Sequence, residues 1–129
     1  MRVIFYEFPL AMHAHALEAA MAAEAADMQG HFWEMHDQLY QYQSVWSRAS
    51  KPEIFFRTYA KTLGLDVERF VSDQQSGMLQ ARILSEGNAG SARGVRNTPT
   101  IFINGAEVRA FTESDLRSAV QAALEGGKK

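Results

Sequence analysis

The hydrophobic and polar positions of this chain run in two rhythms. Residues 2–8 open on a continuous apolar run, Val3, Ile4, Phe5 and Tyr6, the pattern of a strand covered on both faces. Pro9 ends it. From there to residue 93 the spacing is helical. Residues 13–28 are rich in Ala, the best helix former, and put Leu17, Ala20, Met21, Glu24 and Met28 on one stripe. Glu24 is the anomaly there: the simpler reading is a carboxylate at the stripe's edge reaching solvent, the sharper one a buried acid tuning a site. Gln29 and Gly30 separate this helix from a second over 31–43, where Phe32, Met35, Leu39 and Tyr42 recur at three- and four-residue spacing beside Trp33. Residues 44–50 read as a polar connector holding Trp46. Pro52 suits the first turn of a third helix, buried through Phe55, Phe56, Tyr59, Ala60 and Leu63. Gly64 is placed as its left-handed stop, and Asp66 as the N-cap of a short helix ending near Asp73.

Residues 76–93 read as one long helix with Met78, Leu79, Ile83 and Leu84 as its apolar half. Gly87 and Gly90 weaken it by about 1 kcal/mol each relative to Ala, and their small size would let it lie close to a sheet. The rhythm then shortens to that of a hairpin. Asn104-Gly105 between apolar runs is the strongest short-range hairpin signal, because a type I′ turn needs positive φ at both central residues. Residues 100–103 form its first strand and 106–109 its second. Ile101 and Ile103 face one side and Phe102 the other, so the strand should be covered on both faces. Thr112-x-x-Asp115 resembles a capping box, with Phe111 and Leu116 as its hydrophobic staple. The helix it starts turns Leu116, Ala119, Val120, Ala123 and Leu124 to the core. Residues 126–129 are a tail.

Composition narrows the function. A chain of 129 residues fits one domain over its whole length. A net charge of −2 gives no basic footprint for nucleic acid. No apolar run approaches the roughly 20 residues of a membrane span, and the first residues lack the pattern of a signal peptide, so the expected compartment is the cytoplasm. The count of cysteines is zero, which excludes thiol chemistry by this chain. His13, His15, His31 and His36 are the metal candidates, but the pairs do not share a helix face at ligand spacing. Surface or capping histidines, and no metal, is the expectation. There is no Gly-x-Ser-x-Gly elbow and no carboxylate pair singled out by spacing. The aromatics Phe32, Trp33, Tyr40, Tyr42, Trp46, Phe55, Phe56 and Tyr59 read as core before they read as a groove.

Gly94-Val95-x-x-Thr98-Pro99-Thr100-x-Phe102-x-Asn104-Gly105 resembles the cis-proline segment of the DsbA-like branch of the thioredoxin superfamily. Phe8-Pro9-Leu10 with His13 and His15, Gln29-Gly30-x-Phe32-Trp33-x-Met35-His36-Asp37, and Tyr59-Ala60-x-x-Leu63-Gly64-Leu65-Asp66 are similar to successive family segments in family order. The resemblance implies an α/β, truncated thioredoxin-like fold with a helical insertion, three strands and about six helices. Its parts would be a strand over 1–10, a mostly helical 11–93, the proline segment and hairpin over 94–109, and a helix over 110–126. It also implies a cis Thr98-Pro99 bond, although only about 5–6% of X-Pro bonds in folded proteins are cis.

Family members carry a further strand and helix with a Cys-x-x-Cys pair before the segment matching residues 1–10, and this sequence has no counterpart. The resemblance therefore carries over Asn97, Thr98 and Pro99 as a peptide-binding segment and no catalytic residue. Asn97 stands where the family often has Gly. The expected function is that of a redox-silent homologue or fragment of a thiol-disulfide oxidoreductase, without cofactor and with an extended peptide or protein as partner. The alternatives are a non-catalytic peptide-binding or assembly module and a glutathione-binding protein like the kappa-class transferases and isomerases, which usually place a serine in the missing helix. In the family the absent strand lies between those matching residues 3–8 and 100–103. Their open edges predict self-association, with direct pairing of the two strands second. Family members are often periplasmic or exported.

Overall fold

The computed structural model describes residues 1–109 and 112–126. In chain order these form α1 (Ala16–Asp27), α2 (Phe32–Gln41), α3 (Gln43–Trp46), α4 (Glu53–Thr62), α5 (Val67–Gln74), α6 (Gly77–Ala92), β1 (Ile101–Ile103), β2 (Ala106–Val108) and α7 (Glu113–Gly126). The chain falls into two compact units, Met1–Gly90 and Ser91–Lys129.

In the first unit α1 is the central post. Every residue from Ala19 to Ala26 is buried. The expected single stripe is thus replaced by burial all round, as a helix of small side chains allows when neighbours pack on every side. α2, α4 and α5 all pack against it. The core is completed by Met35 and Leu39 of α2, Phe56, Tyr59 and Ala60 of α4, Phe70 of α5, and Leu79 and Ile83 of α6. Met28, expected on the stripe, lies past the helix end and is exposed. The expected polar connector contains the turn α3, which buries Trp46 against Phe56 with ring centroids 5.5 Å apart. The Trp46 indole N–H donates to the Leu39 carbonyl at 2.7 Å, which satisfies the one polar atom of a buried tryptophan.

Local signals set several boundaries. Pro52 occupies the N-cap of α4. Gly64 has φ +77, and the Asp66 carboxylate accepts the Arg69 backbone N–H at 3.1 Å, capping α5. Gln29 reaches across to the same cap: its side chain accepts the Asp66 N–H at 2.9 Å and donates to the Asp66 carbonyl at 3.1 Å. In α6 only Leu79 and Ile83 of the expected apolar half are buried, and Met78 and Leu84 face solvent. A Cβ at Gly87 would meet nothing within 4 Å, so no close approach requires that glycine.

Residues 1–10 carry no strand. A strand exists only through a paired ladder, and the one sheet contains β1 and β2 alone among the described residues. Val3, Ile4 and Tyr6 are consequently 62%, 53% and 65% exposed. The expected three strands and about six helices become two strands and seven helices among the described residues. The fold is a mostly helical, thioredoxin-like arrangement.

In the second unit β1 and β2 pair antiparallel, Ile101 with Val108, Phe102 with Glu107 and Ile103 with Ala106. Asn104 at φ +51 and Gly105 at φ +85 make the turn, as a type I′ hairpin requires. The residues of β1 are half-buried rather than covered on both faces; the Arg93 guanidinium lies 4.7 Å over the Phe102 ring, a cation–π contact. The capping box forms reciprocally. The Asp115 N–H donates to Thr112 Oγ1 at 3.1 Å and the Thr112 N–H to Asp115 Oδ2 at 3.2 Å. Phe111, the other half of the expected staple, lies outside the described residues. Leu116, Ala119, Val120 and Ala123 are half-buried and Leu124 is exposed. α7 runs through Gly126; the rest of the expected tail, 127–129, lies outside the described residues.

Candidate functional site

The proline segment follows directly from the end of α6. Gly94, at φ +91, turns the chain and donates its N–H to the Ser91 carbonyl at 3.0 Å. Asn97, Thr98 and Pro99 then form an exposed bend. The Thr98-Pro99 peptide bond is cis. Thr100 Oγ1 donates to the Asn97 carbonyl at 2.6 Å, which ties the bend to the start of β1. Among the described residues the Thr98 N–H and C=O make no hydrogen bond, and β1 is paired along one edge only. The three residues singled out in the sequence are therefore contiguous, exposed and next to an open strand edge.

The histidines are not brought together. His15 bonds the Ala49 carbonyl through Nε2 at 2.8 Å and Glu18 through Nδ1 at 3.3 Å. His31 pairs with Glu34, and His36 with Asp37 at 3.1 Å. Among the described residues no group of three or more His, Asp and Glu is placed to hold a metal ion. His36 also joins an aromatic row on α2. Its ring lies 5.4 Å from Phe5, 5.2 Å from Trp33 and 4.8 Å from Tyr40, and Phe5 packs 5.2 Å from Phe32. Of the eight aromatics read as core, Trp46, Phe56 and Tyr59 are buried, whereas Trp33, Tyr40 and Tyr42 are exposed.

A second constellation departs from the sequence reading. Glu24 does not reach solvent: it is 7% exposed, and Arg82 Nη2 of α6 donates to its Oε2 at 2.8 Å. Beside it lies Glu7, also 7% exposed, whose carboxyl hydrogen-bonds that of Glu24. Glu7 Oε1 is shut off from solvent and receives no hydrogen bond. The Glu7 backbone N–H donates to Glu86 Oε2 at 2.8 Å. Burial first, then the charges of Glu24 and Glu86, push the Glu7 carboxyl up to about 9. Burial also raises Glu24, against the opposing pull of Arg82. The sequence flagged Glu24 and passed over Glu7. The available signal was a lone acid closing an otherwise apolar run, four residues beyond Val3.

A hairpin entered through a cis proline, closed by a helix and preceded by a helical insertion defines a thioredoxin-fold protein of the DsbA-like kind. The comparisons agree: the family model described as Thioredoxin matches residues 1–122, and the chain belongs to that family. Its fold is similar to that of a thioredoxin-like oxidoreductase from Silicibacter pomeroyi, with TM-score 0.65, 24% identity, and coverage of 95% of this chain and 65% of that one. In sequence it is 34% identical over 131 residues to the Na(+)/H(+) antiporter NhaA 1 of Mycolicibacterium vanbaalenii, covering 98% of this chain and 20% of the antiporter. It is 34% identical over 137 residues to NhaA 3 of Salinispora tropica, covering 99% and 20%. The chain thus spans about a fifth of the length of these curated relatives. None of its described helices is long and apolar enough to cross a membrane.

Proposed function

We propose that this chain is a redox-silent homologue of the DsbA-like thiol-disulfide oxidoreductases that holds an extended polypeptide at Asn97, Thr98 and Pro99. The carrying observation is the Thr98 backbone, whose exposed N–H and C=O have no partner among the described residues. An extended peptide would pair with both and continue along the free edge of β1, which is β-augmentation. Silence follows from chemistry: disulfide exchange requires an attacking thiolate, and the 129 residues include no cysteine. The test is fluorescence anisotropy with a labelled, extended Val/Thr-rich peptide. Thr98→Pro deletes the N–H donor and is expected to weaken binding at least tenfold. Equal binding by the variant and the original chain would overturn the reading.

A second reading concerns assembly, and it is favoured by the exposed apolar run of Val3, Ile4 and Tyr6. Such a run, unpaired in the backbone, invites pairing with another copy. The chain is expected to self-associate through residues 1–10, as measured by light scattering at micromolar concentration. A cooperatively folding monomer would remove this reading and leave peptide docking at Thr98 untouched.

A further inference from the structure

We infer that Glu7 and Glu24 share a single proton, and that this bound proton latches residues 1–10 onto α1 and α6. The segment has no strand and no helix, and residues 1–6 are exposed, so individual side-chain and backbone contacts hold its Glu7 end. One is the Glu7 N–H to Glu86 Oε2 bond at 2.8 Å. A second is the carboxyl–carboxyl contact with Glu24. The third is the Phe5 ring, itself 37% exposed, against Phe32, Trp33 and His36.

The charges explain why a proton is required. Three carboxyls converge: Glu7 from the segment, Glu24 from α1 and Glu86 from α6. Asp27, one turn on from Glu24, adds a further negative charge from α1. Among the described residues the one cation acting on Glu24 is Arg82, which donates to it at 2.8 Å. The Arg82 side chain is 51% exposed, so water screens part of its charge. With every carboxyl ionised, Glu7 would be a buried anion with an oxygen that no donor reaches. Burying an unpaired charge is so costly that the group neutralises instead. One proton between Glu7 and Glu24 turns repulsion into a charge-assisted hydrogen bond. Removing it leaves two anions in contact, and the weakly held segment is the element free to move.

The inference goes beyond peptide docking at Thr98 and is tested separately from it. Two measurements decide it. The first is the carboxyl ¹³C titration of Glu7 in the unmodified chain. A midpoint of about 9 is expected; one in the ordinary glutamate range, about 4–5, overturns the shared proton. The second uses the absence of native cysteine: Ile4→Cys and Met78→Cys, both at exposed positions, carry spin labels. The distance distribution between them should be narrow at pH 6.5 and broaden by pH 10. In the Glu7→Gln background, where a neutral donor replaces the proton, it should stay narrow at both. An unchanged distribution to pH 10 in the chain that keeps Glu7, or identical broadening in the Glu7→Gln background, overturns the latch. Should the Glu7→Gln chain fail to fold, as read by far-UV circular dichroism, the titration and the pH series on the chain that keeps Glu7 still decide.

Discussion

Replacing Glu7 by Gln should stabilise the chain at pH 7 and leave it unchanged below pH 4.5. In the folded chain the Glu7 carboxyl is pushed from 4.5 up to about 9, first by burial and then by Glu24 and Glu86. A carboxyl raised on folding binds more protons in the native state than in the unfolded one. Its contribution is therefore fully present below the unfolded value and is lost progressively as pH climbs toward the folded value. Each unit of separation is worth about 1.4 kcal/mol, so between pH 4.5 and pH 7 this one group removes about 3 kcal/mol, and about 6 kcal/mol by pH 9. Domain stabilities are only about 5–15 kcal/mol, so the slope should be visible in urea titrations at pH 4.5, 7 and 9. Gln keeps the shape and offers an N–H to Glu24 but has no proton to lose. The gain of Glu7→Gln over the original chain should thus rise from near zero at pH 4.5 to about 3 kcal/mol at pH 7. Burial also raises Glu24, which gives both chains a residual slope of the same sign. Parallel stability curves, with no divergence between pH 4.5 and 7, would refute the argument.

Phe70 is fully buried, and Phe70→Ala should cost about 3–5 kcal/mol in urea unfolding. Asp66→Ala removes the carboxylate cap of α5 while leaving the backbone groups that Gln29 bonds, and should lower stability by about 1 kcal/mol. Gly87→Ala, at a position where a Cβ meets open space, should raise stability by up to about 1 kcal/mol in the same titration. In an insulin-reduction assay the purified chain should not exceed the rate of buffer with dithiothreitol, since it holds no thiolate.

Legibility of the sequence followed the range of the forces involved. Asn104-Gly105, Gly64, Asp66 and the Thr112/Asp115 box are each written within four residues, and the structure places them where local chemistry requires. The existence of the longer helices was equally legible, because periodicity is local; the one-turn α3 was read as a connector. Which face each helix buries was not. The burial of α1 on every side depends on α2, α4 and α5 surrounding it, and the exposure of Met78 and Leu84 on what does not cover α6. At the candidate site, Asn97, Thr98 and Pro99 were singled out by resemblance to a family pattern, and periodicity alone would have passed over them. Glu7 and Glu86 are 79 residues apart, a separation no local rule spans.

The first segment shows how a strand-like sequence can fail to be a strand. Val3, Ile4, Phe5 and Tyr6 satisfy the strand pattern in side chains, but pairing is a property of two chains of backbone, and the sheet in this structure has no place occupied by residues 1–10. What remains is one aromatic ring and one buried acid. The ring is satisfied by Phe32 and Trp33, and that contact hardly depends on pH. The acid is different: its backbone N–H donates to Glu86 Oε2 at 2.8 Å, while its side chain needs a proton against Glu24. A single residue thus sets the upper pH limit for the segment's attachment, which is why Glu7 rather than Phe5 is the position at which to test it.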